Sequence, residues 1–96
     1  MIEINNSNNL FSEKTIDLPP KKFTTDTISA QLGTRFGIIS FAFCPLDSNG
    51  NPGTYKVYPV KFYPTSTNFK DWQVCLYNDE SQPMKARLIG IETYVQ

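Results

Sequence analysis

Apolar and polar residues alternate along most of the chain, and runs of turn-forming residues interrupt the alternation. A period of two is typical of β-strands, because successive side chains of a strand point to opposite faces. The pattern predicts six strands, over residues 14–18, 23–32, 36–43, 54–63, 69–77 and 84–95. For 23–32 a second interpretation stays open, in which Asp26 caps a short helix that ends at Gly33. Such closely spaced strands predict an all-β fold, a small antiparallel β-sandwich or barrel of about five to six strands.

The strand over residues 36–43 is apolar on both of its faces. Alternation places Ile39 on one face together with Phe41, and Ile38 on the other. Strands that are buried on both faces lie inside a sheet, with neighbours on either side. The pattern therefore predicts that 36–43 is a central strand.

Two interruptions indicate how the middle of the chain is connected. Residues 47–53 are rich in Asp, Asn, Pro and Gly, and with a strand on each side they predict a hairpin turn. Pro59 lies within the next strand and has no N–H group to donate to a neighbour. That proline predicts an edge strand or a bulge.

The length of 96 residues allows one domain and no second core. We divide the chain into an N-terminal arm, residues 1–13, and a single β domain, residues 14–96. The arm is rich in Asn, which disfavours both helix and strand. Its apolar residues are candidates for an assembly arm that adds to the sheet of a neighbouring subunit, with a frayed terminus as the alternative. These candidates are Ile2, Ile4, Leu10 and Phe11.

Charge is low and balanced, with nine basic and nine acidic residues and a formal net charge of zero. A domain without a basic surplus lacks the electrostatic attraction that nucleic acid requires, so we expect no nucleic-acid partner. The chain has no apolar run long enough to span a membrane, and its polar start does not have the pattern of a secretory signal. Localisation stays open, with a virus particle as one setting.

The chain contains no histidine, which removes the commonest general base and a frequent metal ligand. None of the acidic residues lies in a recognisable catalytic motif, so we expect a protein that is not an enzyme and that needs no cofactor. Asp47, Asn49 and Asn51 are spaced like the start of a calcium loop, but Pro52 and Tyr58 stand where such a loop requires glycine and glutamate. We therefore interpret the segment as an Asx-rich turn and expect no metal site.

Two cysteines, Cys44 and Cys75, lie in apolar segments of two different predicted strands. Two are too few for a disulfide framework. We expect reduced, partly buried thiols. A single bridge between them is the alternative, and it requires the two strands to be neighbours.

Tyrosines on strands are the main candidates for contact with a partner or ligand, because the ring is apolar and the hydroxyl group needs a polar partner or water. The candidate residues are Tyr55, Tyr58, Tyr63 and Tyr77, with Asn49 and Asn78 in the adjoining polar loops. Trp72 shares its predicted strand face with Val74 and Leu76, which indicates a place in the core.

Three functions agree with this sequence. The leading hypothesis is a non-enzymatic structural or assembly module, such as a virus or phage particle component at a capsid surface, vertex or tail. It would form a homo-oligomer or bind a larger protein scaffold. The alternative is a carbohydrate- or receptor-binding β module with a possible glycan ligand. A small protein inhibitor of a host enzyme is the third.

Overall fold

Six strands and their connections make up residues 11–95, the part of the chain that the computed structural model describes. The strands are β1 (Phe11–Leu18), β2 (Lys22–Ser29), β3 (Phe36–Leu46), β4 (Val57–Pro64), β5 (Asp71–Asn78) and β6 (Met84–Tyr94). All pairings are antiparallel, and the described residues contain no helix. The all-β prediction is confirmed, in the form of a sandwich rather than a closed barrel.

The strands form two three-stranded sheets, which we call sheet A and sheet B. Sheet A has the order β1-β6-β3, and sheet B has the order β2-β5-β4. β6 and β5 are therefore the central strands. β4 and β5 follow each other in the chain and also pair with each other. Each of the other four connections passes from one sheet to the other.

The core lies between the sheets, and half of its buried apolar residues belong to the two central strands. Alternate residues of β5 and β6 are buried, while the residues between them are more accessible. The buried apolar residues are Ile16, Leu18, Ile28, Ala30, Ile38, Val57, Trp72, Val74, Leu76, Met84, Ala86 and Leu88. Trp72 thus lies in the core, as its strand face predicts. Full burial of one large aliphatic side chain stabilises the fold by roughly 1.5–3 kcal/mol.

The two long sides of the sandwich are closed by different interactions. On the β3–β4 side, the ring of Phe41 lies 5.2 Å from that of Trp72 and 5.3 Å from that of Phe62, centroid to centroid. These aromatic contacts join sheet A to sheet B. On the β1–β2 side, Lys14 Nζ lies 3.0 Å from the Asp26 carboxylate. That ion pair connects the edge strands of the two sheets.

The predicted position of β3 is wrong. β3 is an edge strand of sheet A, and its pairing with β6 shifts register between Ile38 and Ser40. This bulge leaves Ile38 fully buried, turns Phe41 toward the core and leaves Ile39 55% exposed. Simple alternation had put Ile39 and Phe41 on one face, and it fails because a bulge inserts one extra residue.

The predicted hairpin at residues 47–53 is also wrong, because β3 and β4 belong to different sheets. The segment is a local turn that connects sheet A to sheet B.

The prediction for Pro59 is confirmed, since β4 is an edge strand whose register shifts between Pro59 and Lys61. β1 begins at Phe11, so the last three residues assigned to the arm belong to sheet A.

Both cysteines are free and partly exposed. Cys44 lies on β3 opposite Arg87, and Cys75 lies on β5 opposite Thr25. Because they face outward on different sheets, the alternative of a bridge within one chain is excluded by the distance that a disulfide allows.

A buried amide ties together the chain connections at one end of the sandwich. Asn78 is fully buried, and its Nδ2 donates to the carbonyl oxygens of Leu18, Pro19 and Gln82 at 3.0–3.3 Å. Its Oδ1 accepts from the Glu80 N–H at 2.9 Å. One side chain thereby satisfies backbone groups of both the β1–β2 and the β5–β6 connections.

We expect Asn78→Ala to lower the free energy of unfolding by about 2–3 kcal/mol, because buried carbonyl groups lose their donor. Asn49→Ala is the control, since Asn49 is exposed and we expect a change within about 0.5 kcal/mol. Urea denaturation of both variants measures the difference. Equal stabilities of the two variants would contradict this role of Asn78.

Candidate functional site

The outer face of sheet B is defined by the residues of β5 that alternate with the core. Trp72, Val74 and Leu76 point inward, so Asp71, Gln73, Cys75 and Tyr77 point to the outside. Residues directly opposite on antiparallel strands share a face. The register therefore places side chains of β2 and β4 beside each outer residue of β5. We call this surface the aromatic face.

Three aromatic side chains form a row across the aromatic face. Phe23 on β2 and Tyr58 on β4 both pair with Tyr77 on the central strand. The Phe23 and Tyr77 rings are in contact, with centroids 4.6 Å apart. Phe23 is 65% exposed and Tyr58 is 49% exposed. The outer face of a solvated antiparallel sheet is normally polar, so the open aromatic row is a candidate contact surface.

The rest of the aromatic face has small side chains on one edge strand and long ones on the other. β2 contributes Thr25 and Thr27, which lie opposite Cys75 and Gln73. β4 contributes Lys61 and Tyr63, which lie opposite the same two residues of β5, and Tyr63 is 45% exposed. Residues that face each other across the three strands form one row, and we call the position of a row along the strands its level. At the next level Ser29 Oγ donates to the Asp71 carboxylate at 2.6 Å. The face therefore combines aromatic rings with hydroxyl and amide groups and has little charge.

The outer face of sheet A is aliphatic in one half. Ile39 and Ile91 are 55% and 39% exposed, and Ile89 and Ala42 lie opposite each other beside them. A shallow depression of about 150 Å³ lies where this half meets the other and is lined by Ala42, Phe43, Cys44, Arg87 and Ile89. Aliphatic side chains without cover also favour contact with a partner.

Ion pairs occupy the other half of the outer face of sheet A. Arg87 donates to the Glu13 carboxylate at 2.6 Å, and Lys85 Nζ lies 3.9 Å from that of Asp17. The hydrogen bond from Arg87 lowers the pKa of Glu13 below its usual value. These charges are neutralised within the chain.

Three of the predicted contact residues come together on the aromatic face, namely Tyr58, Tyr63 and Tyr77. Sequence reasoning missed Phe23, the most exposed large apolar residue described. The signal was present in the alternation of β2. Because Ile28 is buried, the odd-numbered residues of that strand, which include Phe23, must face outward.

Tyr55 and Asn49 lie away from the aromatic face, in the connection between β3 and β4. The Asp47 carboxylate accepts the backbone N–H groups of Asn51 and Asn49 at 2.8 and 2.9 Å, and the Tyr55 hydroxyl lies 3.4 Å from it. These donors, led by the Asn51 N–H, lower the pKa of Asp47 below its usual value. The segment is thus an Asx turn. In residues 11–95 no three cysteine or carboxylate side chains lie close enough together to hold a metal ion.

Asn78 is not a surface residue, since its amide is buried and fully engaged in the backbone contacts described above. Its place in the interior removes it from the set of contact residues.

Of the assembly-arm residues, Ile2, Ile4 and Leu10 lie outside the described residues. Phe11 is the first residue of β1 and pairs with Ile91 on the outer face of sheet A.

An apolar depression of about 300 Å³ lies at the Asn78 end of the sandwich. It is lined by Asp17, Leu18, Pro19, Pro20, Ser48, Pro83, Met84 and Lys85. Its two charged members, Asp17 and Lys85, pair with each other. The depression therefore lacks the convergent polar groups that orient a small molecule in a binding site.

Across the described part of the chain, no helix has the length and apolar character needed to cross a membrane.

Comparisons of the chain with protein-family models, with curated proteins and with solved structures give no significant match. The interpretation of the function therefore depends on the two outer faces.

Proposed function

We propose that the protein is a non-enzymatic assembly module that packs with copies of itself. Its setting would be a larger scaffold, such as the surface, vertex or tail of a virus or phage particle. The observation that carries the proposal is the exposure of large apolar side chains on both outer faces of the sandwich. Phe23 and Tyr58 are the main examples on sheet B, and Ile39 and Ile91 on sheet A.

Apolar surface of this kind favours association because contact removes it from water. Each square ångström of buried apolar surface contributes roughly 25 cal/mol, before the costs of association are subtracted. The formal net charge of zero adds little repulsion between copies. Both features support assembly over an isolated monomer.

The charged groups of the described residues support a structural role as well. The carboxylates with lowered pKa values are those of Glu13, Asp47 and Asp79. Each has an evident structural partner: Arg87 for Glu13, its own turn for Asp47, and Lys21 at 2.9 Å for Asp79. A lowered pKa keeps a carboxyl group ionised, which suits ion pairing and not proton donation at neutral pH.

We expect the mass of the protein in solution to exceed that of the 10.9 kDa monomer and to rise with concentration toward one closed oligomer. Light scattering on a sizing column measures this mass. High salt should leave the association intact or strengthen it, because apolar contact does not weaken with screening. A monomer at every concentration would contradict self-assembly.

Carbohydrate binding is a second candidate, favoured by the aromatic rings that lie beside threonine hydroxyl groups on the aromatic face. Rings of this kind can pack on the apolar side of a sugar, and hydroxyl groups can hydrogen-bond to it. In this case the protein would work as a monomer with one open surface.

If a glycan binds there, we expect Tyr63→Ala to reduce its affinity by about ten-fold or more, since one buried aromatic contact contributes over 1 kcal/mol. Tyr55→Ala is the matched control and should leave the affinity unchanged, because Tyr55 lies in the β3–β4 connection. Calorimetric titration with the hits of a glycan screen measures both. A screen without hits, or equal losses in the two variants, would rule this function out.

A further inference from the structure

We infer that a second copy of this chain docks on the aromatic face, related to the first by a two-fold axis that runs parallel to β5. The inference rests on the proposed function and specifies the surface and the orientation through which it acts. A two-fold interface uses the same patch on both copies, so the patch must be complementary to itself. Two features of the aromatic face meet that condition.

The aromatic row is symmetric about the central strand. Tyr77 lies on β5, with Phe23 on one side and Tyr58 on the other. A two-fold axis along β5 exchanges the positions of β2 and β4 and keeps each row at its own level. Phe23 then meets Tyr58 of the partner subunit, and the two Tyr77 rings meet on the axis. Aromatic pairs of this kind stabilise an interface beyond the area that they bury.

The other rows match small residues with large ones under the same axis. Thr25 and Thr27 on β2 are short, whereas Lys61 and Tyr63 at the same levels on β4 are long. The exchange of β2 and β4 places each long side chain over a short one of the partner. Interdigitation of this kind is what close packing between two sheets requires.

Charges oppose this orientation in one row only. Lys61 meets Thr25 of the partner subunit and stays away from the partner subunit's Lys61. Asp71, the first residue of β5, faces Asp71 of the partner subunit on the axis, and in each copy its carboxylate accepts a hydrogen bond from Ser29. That repulsion lies at the end of the face, away from the aromatic row. A two-fold axis perpendicular to the strands would instead reverse the strand direction. The aromatic row of one copy would then lie over Ser29 and Asp71 of the partner subunit, and aromatic rings would not meet aromatic rings.

The face is the size of a small interface. Sheet B has three strands of eight residues each, so its outer face spans roughly 15 Å across the strands and 26 Å along them. Two such faces together approach the roughly 1,000 Å² of total buried area that a specific contact needs, so the dimer should be weak and should depend on concentration. On the opposite side, by contrast, ion pairs such as Arg87 with Glu13 cover half of the outer face of sheet A.

Cys75 lies at the centre of the aromatic face and supplies the test. The axis along β5 places the two copies of Cys75 opposite each other, on backbones about one sheet spacing or roughly 10 Å apart. That separation is too long for a direct disulfide, which needs Cα atoms within about 7 Å. Packing between the two faces should instead shield Cys75 from a thiol reagent when the dimer forms.

The experiment uses the full chain in two variants with one thiol each. Cys44→Ser leaves Cys75, and we expect its alkylation by iodoacetamide to slow at least about five-fold as the protein concentration rises from well below to well above the dimer dissociation constant. Cys75→Ser leaves Cys44 on the outer face of sheet A, and we expect its alkylation rate to stay the same over that range. Circular dichroism verifies that both variants keep the fold.

A charge pair tests the orientation independently. Thr25→Glu would place a carboxylate against Lys61 of the partner subunit, and Thr25→Lys would place a second cation there. We expect the dissociation constant of the Thr25→Glu dimer to be roughly five-fold or more below that of the Thr25→Lys dimer, because both variants add bulk over Lys61 and only the first adds an opposite charge. Both changes are on an exposed position, so the fold itself should be retained.

The outcomes separate this inference from the proposed function. An oligomer in which Cys44 is protected and Cys75 stays reactive, or in which both Thr25 variants have the same dissociation constant, would overturn the inference and leave self-assembly standing. A monomer at every concentration would overturn both. A monomer that binds a glycan through Tyr63 would also overturn both, in favour of carbohydrate binding.

Discussion

The packing of β5 against β6 is the contact on which the rest of the molecule depends. Each sheet has three strands, so each has one central strand, and the alternate residues of these two strands supply half of the buried apolar side chains. The edge strands add Ile16, Leu18, Ile28, Ile38 and Val57 around that centre. Four of the five connections cross between the sheets, so neither sheet can form its full set of strands without the other. The burial of the core side chains and the completion of both sheets thus depend on the same contact between the sheets.

The core also decides which residues reach the surface. In a strand with one face inward, the opposite face is fixed by the period of two. Once Trp72, Val74 and Leu76 are buried, Tyr77 and Cys75 must face outward, and the register brings Phe23 and Tyr58 beside Tyr77. The aromatic face is therefore a direct consequence of the core. Its apolar character is not required by the fold, and we propose that association with a second copy accounts for it.

Strand positions and the core role of Trp72 could be predicted from the sequence because alternation is a local signal. The edge position of β4 could be predicted from Pro59 for the same reason. Strand partners could not, because pairing between distant segments leaves no local trace, and a turn-rich segment at 47–53 can join two sheets as well as two neighbours. A bulge at Ile39 and the burial of Asn78 likewise depend on neighbours that the sequence does not reveal. Of the candidate contact residues, the strand tyrosines were found and Phe23 was missed.

In the proposed dimer the two copies meet through their aromatic faces. An isotope-filtered nuclear Overhauser experiment, on a mixture of labelled and unlabelled protein, detects only contacts between different copies. We expect such contacts between Phe23 of one copy and Tyr58 of the other, and between the two Tyr77 rings. Contacts between copies that involve Ile89 and Ile91 on sheet A, with none from Phe23, would contradict docking through the aromatic face.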